Sequence, residues 1–336
     1  MGSNVFGIDV GTSNIRIFNG LDNSIFMEKN MIAMENKVNL LAYGDAAYDM
    51  YEKAPSYIRT SYPLNYGVIA DINDMETLIK LFISDLSGGN IKSSDYYIAV
   101  PTDVTEVEKR AFYDLIKDAN VKAKNIMVVE KAVADGLGLD VDVKNSQGVM
   151  VVNVGFSTTE ISILSLGGIV LSKLIKIGGY SFDNAIASII RKEYNLYIGD
   201  KTSEAVKIQL ADYEKEGKPI KCFGRDIVTG LPVMRQIPTD LIDESLLVPF
   251  SKIIDNIKLI LERTPPELGA DIYRNGIYLT GGASQVSHLA ALISKASGLK
   301  VNISEDPINS VIAGVSKVIK EEKYRKLAYT IEGMSI

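Results

Sequence analysis

The sequence predicts an α/β protein of two related halves, each a mostly parallel sheet covered by helices and joined to an antiparallel meander. Three observations carry this. A strand–turn–strand unit occurs twice: Val5-Phe6-Gly7-Ile8-Asp9-Val10-Gly11-Thr12-Ser13-Asn14 followed by Ile15-Arg16-Ile17-Phe18, and Met150-Val151-Val152-Asn153-Val154-Gly155-Phe156-Ser157-Thr158-Thr159 followed by Glu160-Ile161-Ser162-Ile163. With Asp9 set on Asn153, the pairs Val10/Val154, Gly11/Gly155, Ser13/Ser157 and Ile17/Ile161 fall in one register. Beyond each copy, short apolar runs alternate with helical periods, the pattern of a parallel sheet. Finally, 336 residues are long for one core and comfortable for two domains.

Taken in order, Asn19-Gly20 is a two-residue turn signal, so residues 24–32 extend the first hairpin into a meander. Residues 33–66 mix Gly, Pro and Asn with Tyr43, Tyr48, Tyr51, Tyr57 and Tyr62, which suggests an inserted unit of short elements whose tyrosines pack. A helix over 74–86 follows, with Met75, Leu78, Ile79 and Phe82 on one face, and then a strand from Tyr96 to Val100. Thr105 and Glu108 fit a capping box that starts a helix running to about Asn120. Ile126 to Val129 is a strand, and Lys131-Ala132 begins a short helix.

The second half repeats this plan. Gly167-Gly168 turns the chain into a strand at 169–177, and a helix at 182–194 buries Ala185, Ile186, Ile189 and Ile190. Thr202 is placed to cap a helix that carries Glu204 and Lys207 on one face. A hairpin around Thr229-Gly230-Leu231-Pro232 precedes a long helical pattern from 239 to 263, bent where Pro249 removes a donor. Gly276 to Thr280 is a strand entering the Gly281-Gly282-Ala283-Ser284 turn and a helix; the last strand lies near 300–303 and the last helix over 309–322.

Hydrophobic residues make up 46% and charged residues 23%, with a mean hydropathy of +0.10, the composition of a folded globular chain. A net charge of −6 and a pI near 5.1 oppose sequence-independent binding to nucleic acid. Cys222 is the single cysteine, so no internal disulfide forms, and no apolar run approaches a membrane span. The chain reads as cytosolic. His288 is the only histidine; it reads as a helix-surface residue, and no catalytic triad or histidine-based metal site builds around it.

Each hairpin turn of Gly, Ser, Thr and Asn presents several N–H groups and hydroxyls at one point, a concavity that suits an anion. Asp9 closes the first strand beside its turn, within reach of hydrated Mg²⁺ carried by a bound phosphate. Two such hairpins facing each other make a nucleotide clamp. The Gly281-Gly282 turn adds a third glycine loop that lets the backbone lie flat against a base or ribose.

This ordered set resembles the actin, heat-shock chaperone and sugar-kinase ATPase superfamily. The segments Pro63-Leu64 with Gly67-Val68-Ile69-Ala70-Asp71, Gly224-Arg225-Asp226 with Thr229 to Pro232, Thr264-Pro265-Pro266-Glu267-Leu268 and Glu305-Asp306-Pro307 narrow it to the bacterial actins of the MreB family. The resemblance covers residues 5 to 320. It implies an actin-like fold of two RNase H-like domains around a nucleotide cleft. Subdomain IA would span 1–32, 67–142 and 308–336; IB, 33–66; IIA, 143–180 and 240–307; IIB, 181–239. It implies ATP or ADP with Mg²⁺ as ligand: Thr12, Ser13 and Asn14 with Gly155, Phe156, Ser157 and Thr158 on the phosphates, Glu204 and Lys207 on ribose or base, Gly281, Gly282, Ala283 and Ser284 along the nucleoside, and Asp9 on Mg²⁺ through water.

It further implies a cytoplasmic filament of the chain with itself, working with cell-wall synthesis and cell-shape proteins to maintain rod form. Contact with the inner membrane surface would need filament avidity, because the loop Gly88 to Lys92 offers only Ile91. Two places depart from the family pattern. The second phosphate hairpin reads Asn153, then Gly155-Phe156-Ser157, where the family has Asp followed by three glycines, and Lys131-Ala132 replaces the Glu-Pro pair whose carboxylate positions the attacking water. Binding is therefore expected to survive better than hydrolysis. Two alternatives are a divergent nucleotide-binding scaffold without turnover and a sugar or acetate kinase of the same superfamily.

Overall fold

Both copies of the repeated hairpin become the middle of a sheet. In the computed structural model, which describes residues 4–36 and 38–331, Asn4–Val10 pairs antiparallel with Asn14–Asn19, and that strand with Ile25–Lys29. On its other side Asn4–Val10 runs parallel to Ser94–Val100, which runs parallel to Ala123–Glu130. The second sheet has the same plan: Val149–Val154, Thr159–Ser165 and Gly168–Ile175 form the meander, and Ile277–Thr280 and Val301–Ile303 add the parallel strands. Registers match as well. Asp9 lies opposite Arg16, and Asn153 opposite Glu160.

Two smaller three-stranded sheets are inserted. Asn39–Tyr43, Ile32–Glu35 and Ile58–Ser61 surround a small core of Met31, Ala33 and Ala47 under the helix Gly44–Met50. Leu196–Tyr197, Ile220–Asp226 and Pro232–Ile237 form the other, with Gly230 at φ +75° in its turn.

The helices start where their backbone donors find partners. Ile72–Leu86 begins ahead of the expected 74 because the Asp71 carboxylate accepts the Asp74 N–H at 3.1 Å. In Glu106–Asp118 the capping box is present: Glu108 N–H donates to Thr105 Oγ1 at 3.2 Å and Thr105 N–H to Glu108 Oε2 at 2.7 Å. Gly179–Tyr194 begins before 182; Phe182, Ile186 and Ile190 are buried, while Ala185 and Ile189 are only half-buried. Thr202 does not cap its helix. Asp200–Glu216 starts at Gly199, where the N–H groups of Asp200 and Lys201 are taken by the Glu52 carboxylate at 2.8 and 3.1 Å. A side chain at Gly199 would meet that carboxylate, its Cβ 2.5 Å from Glu52 Oε1. Thr239–Arg263 runs unbroken through Pro249. The Gly281 turn leads not into an α-helix but into one 3₁₀ turn, Gly282–Gln285, with α-helix resuming at Leu289–Ser297.

Between the two large sheets, Lys131–Gly138 crosses Ser310–Lys320 at backbone contact. A Cβ at Gly314 would sit 1.6 Å from the Ala134 carbonyl oxygen, and one at Gly138 1.8 Å from that of Ser310. Phe18, Val129, Val151, Leu164 and Ile312 join this crossing in one core cluster, so the halves share apolar packing as well as owning separate cores. Ile91 packs against the first half's core, which removes the apolar tip expected of the loop at Gly88 to Lys92. Among the described residues no helix is long and apolar enough to cross a membrane.

Candidate functional site

The two repeated turns face each other across a cleft of about 730 Å³. Asp9, Thr12, Ser13, Asn14, Gly155, Phe156, Thr158, Glu204, Lys207, Gly281, Gly282 and Ala283 all line it. Ser157 and Ser284 do not. The Ser157 hydroxyl is turned to the Thr12 hydroxyl at 2.7 Å, a bond that ties the two turns together across the halves. The Ser284 hydroxyl donates to the Gly281 carbonyl at 2.7 Å and braces its own loop.

Local bonds fix each turn. Gly11 N–H donates to the Asn14 carbonyl at 3.0 Å, Ser13 Oγ donates to Asn14 Oδ1 at 2.9 Å, and Lys29 Nζ reaches Ser13 Oγ at 3.3 Å. In the second turn Gly155 N–H donates to Thr158 O at 2.8 Å, while the carbonyls of Gly155 and Phe156 take the N–H groups of Gly179 and Tyr180. The first donors of that helix are therefore spent on the turn. Gly281 sits at φ +86°, and a Cβ there would meet Val154 O at 2.4 Å and Asn153 Oδ1 at 2.6 Å. Gly282 has no such constraint. A Cβ there finds only Ile308 Cγ1, at 3.8 Å, because its open side is the cleft.

Lys207 is buried and paired with Asp183 at 2.8 Å, also donating to Gly179 O at 3.2 Å. Glu204 does not pair with Lys207; it accepts the Tyr48 hydroxyl at 2.9 Å from the inserted unit across the cleft. Burial pushes the Asp183 carboxyl up to about 6, against the pull of Lys207. Tyr48 and Tyr51, expected only to pack, each also donate to an acid, Tyr51 to Asp200 at 2.7 Å.

At the floor of the cleft lies a buried ionic group. Asp9 is 3.5 Å from the Arg16 guanidinium through Oδ2, and its Oδ1 is buried with no hydrogen-bond partner. An orphaned anionic oxygen fits a hydrated divalent cation, which prefers such oxygens. Lys131 reaches Glu160 at 3.5 Å. Burial pushes the Lys131 ammonium down, but Glu160, Asp9 and Asp135 outweigh it and raise it overall. Glu160 is raised by burial against Lys131. Asp135 accepts the Asn153 amide at 2.7 Å, and burial lifts its carboxyl to about 6. Glu130 takes no part: its Oε1 accepts Lys109 at 2.9 Å and the Tyr329 hydroxyl at 2.7 Å, outside the cleft.

Sequence reasoning missed Glu160 and Asp135. Glu160 was within reach, since it stands to Asn153 as Arg16 stands to Asp9 in the repeat. Asp135 gives no signal beyond an acid in an apolar helix. His288 is not an isolated surface residue: at φ +67° it precedes Leu289–Ser297, with Nε2 2.9 Å from Glu214 Oε1 and 3.8 Å from Asp243 Oδ2.

The family model described as MreB/Mbl protein matches residues 3–327. The cell shape-determining protein Mbl of Bacillus subtilis is 34% identical over 319 residues, 93% of this chain and 95% of that protein. The cell shape-determining protein MreB of Escherichia coli K12 is 31% identical over 329 residues, 95% of this chain and 94% of that one. Crystal structures of MreB5 of Spiroplasma citri bound to ADP and to AMPPNP superpose with a TM-score of 0.88 at 34% and 35% identity, covering 97% of this chain and 98% of those.

Proposed function

The chain belongs to the MreB/Mbl family and has the actin-like fold, and from that premise we propose that it binds Mg-ATP or Mg-ADP between its halves. The same reading has it assemble with itself into filaments and help maintain rod shape by directing cell-wall synthesis. The observation that carries it is the Thr12–Ser157 bond, which holds two donor-rich turns against one cleft. That S. citri MreB5 binds ADP and AMPPNP on the same fold supports the choice of ligand.

In this reading the turns Thr12 to Asn14 and Gly155 to Thr158 hold phosphates, and Lys29 and Arg16 add positive charge at the cleft wall. Asp9 holds Mg²⁺ through water, and the cation neutralises phosphate charge when bound. Glu204 and Lys207 face ribose or base, and Gly281 to Ala283 lie along the nucleoside with Ser284 bracing them. We divide the chain into IA, IB, IIA and IIB at the boundaries that the resemblance implies.

Filament contacts belong to the subdomain tips. Phe223, Val228 and Leu231 are 69%, 78% and 62% exposed at one tip, and Val38 is 76% exposed at the other. A head-to-tail contact between unlike surfaces generates an open polymer. Accessory work without turnover is the second reading, favoured by Lys131 and by a Glu130 held away from the cleft.

Calorimetry with ATP and ADP tests the site directly. Gly282→Val should abolish binding while the fold persists, since its Cβ points into open cleft; unchanged binding in that variant would overturn the assignment. Pelleting and electron microscopy with and without ATP test the polymer. A monodisperse monomer at high concentration with ATP would favour the kinase reading instead.

A further inference from the structure

Glu214, Asp243 and His288 come from three separate elements: the end of Asp200–Glu216, the start of Thr239–Arg263, and the residue that precedes Leu289–Ser297. One ligand-type atom from each lies within 4.8 Å of the other two. None of the three lines the cleft, but Gln285, Val286 and Ser287 do, and so does Ala211 on the helix that carries Glu214.

We propose that these three side chains form a binding site for a single divalent transition-metal ion of the zinc class, which staples the loop carrying the base-side wall of the cleft to the two helices behind it.

The geometry is close to a coordination shell. Ligands at roughly 2.0–2.2 Å around a tetrahedral zinc stand about 3.3–3.6 Å apart. The distances from His288 Nε2, 2.9 Å to Glu214 Oε1 and 3.8 Å to Asp243 Oδ2, bracket that spacing. All three ligand atoms lie within 4.8 Å of one another, and a bound ion would draw them to that spacing. Glu214 is already oriented to ligate, because its second oxygen, Oε2, accepts the Ser287 hydroxyl at 2.7 Å and leaves Oε1 turned to the shared point. The charges agree. Among the described residues no lysine or arginine pairs with Glu214 or Asp243, and the two carboxylates lie against each other with one imidazole between them. In the metal-free protein the three groups are hydrogen-bonded to one another, and a divalent ion would take the place of the protons that those bonds share. One imidazole with two carboxylates favours zinc-class ions over magnesium or calcium, which take all-oxygen shells. Three protein ligands leave one position for water.

The site stands apart from nucleotide binding, and its test does not depend on it. The full chain, stripped with chelator, is titrated with Zn²⁺ by competition with a chromophoric chelator, alongside His288→Ala and Asp243→Asn. One equivalent should bind to wild type, and each variant should lose affinity by about tenfold or more. Co²⁺ should give the visible absorption of a low-coordinate site in wild type and lose it in His288→Ala. His288→Ala also removes the 2.9 Å bond to Glu214, so far-UV circular dichroism in EDTA checks that each variant is folded, and a loss of binding in a folded variant reports ligation rather than misfolding. Equal Zn²⁺ affinity in all three proteins, or no stoichiometric binding to wild type, would overturn the proposal.

Discussion

Individual side chains decide whether a bound nucleotide would turn over. A positioned proton-transfer group contributes on the order of 10²–10⁴ in rate. Here Lys131, which by the resemblance stands where the family has glutamate, is tied to Glu160, while Asn153 spends its amide on Asp135. Neither supplies a free base. We expect phosphate release to be slow under polymerising conditions and to rise in the Lys131→Glu/Asn153→Asp double variant, with Glu130→Ala matching wild type because Glu130 is engaged elsewhere. A wild-type rate equal to the double variant's would sink this expectation. Asp135 gives a separate prediction in pH. Its carboxyl is held at about 6, above the ordinary 3.8, so the folded state binds a proton that the unfolded state lacks between those values. Its contribution to stability is full below about 3.8 and is lost as pH rises through 6. Asp135→Asn keeps an acceptor for the Asn153 amide and removes the buried charge. At pH 8 it should stabilise the protein by on the order of 1–3 kcal/mol, and at pH 4 by little. Urea midpoints at the two values check this, and Asp183, which titrates in the same window, is unchanged between the two proteins.

At the scale of elements, the helix crossing between the sheets sets opposing effects against each other. Gly→Ala in a helix interior ordinarily gains up to about 1 kcal/mol. At Gly314 the new methyl would lie 1.6 Å from the Ala134 carbonyl, so the helices must separate across the core that both halves share. Overpacking of that kind costs about 1–3 kcal/mol or more, and it should win. Gly314→Ala should lower the urea midpoint; a midpoint at or above wild type would show that the crossing opens freely. The same elements show where the sequence was legible. The hairpins were readable because an apolar run, a Gly-rich turn and a second apolar run recur in one register. The Glu106–Asp118 cap was readable because both partners lie within four residues. The start of Asp200–Glu216 was not, because its donors are satisfied by Glu52, distant in sequence. Nor was the 3₁₀ turn after Gly281, where Gly281 N–H goes to Pro307 O and the loop is set by tertiary contact. In the cleft, turn residues announced themselves by composition. Which way the Ser157 and Ser284 hydroxyls turn was not legible, because a hydroxyl's type does not reveal its direction.

For the whole molecule, nucleotide exchange should depend on how the two inserted units meet over the cleft. They are clasped by polar contacts: Tyr48 to Glu204 at 2.9 Å, Tyr51 to Asp200 at 2.7 Å, Glu52 to the N–H groups of Asp200 and Lys201, and Lys201 to the Tyr48 and Asp49 carbonyls. The Glu52 contact differs from the rest. It sets an ionised carboxylate on the first donors of a helix, where both hydrogen bonding and the helix dipole favour negative charge. Charge-assisted bonds of this kind contribute about 1.5–3 kcal/mol, less where solvent reaches them, and Glu52 is exposed. Glu52 does not line the cleft, so removing it leaves the proposed ligand contacts of Thr12, Lys207 and Gly281 in place. If release requires the inserted units to part, the loss of Glu52 lowers that barrier by the strength of its bonds and leaves the chemistry of the site alone. Glu52→Ala should therefore release a fluorescent ADP analogue faster, by about fivefold at 1 kcal/mol, with the association rate little changed. Stopped-flow chase experiments measure this. An unchanged release rate with an intact fold would place the barrier elsewhere in the cleft.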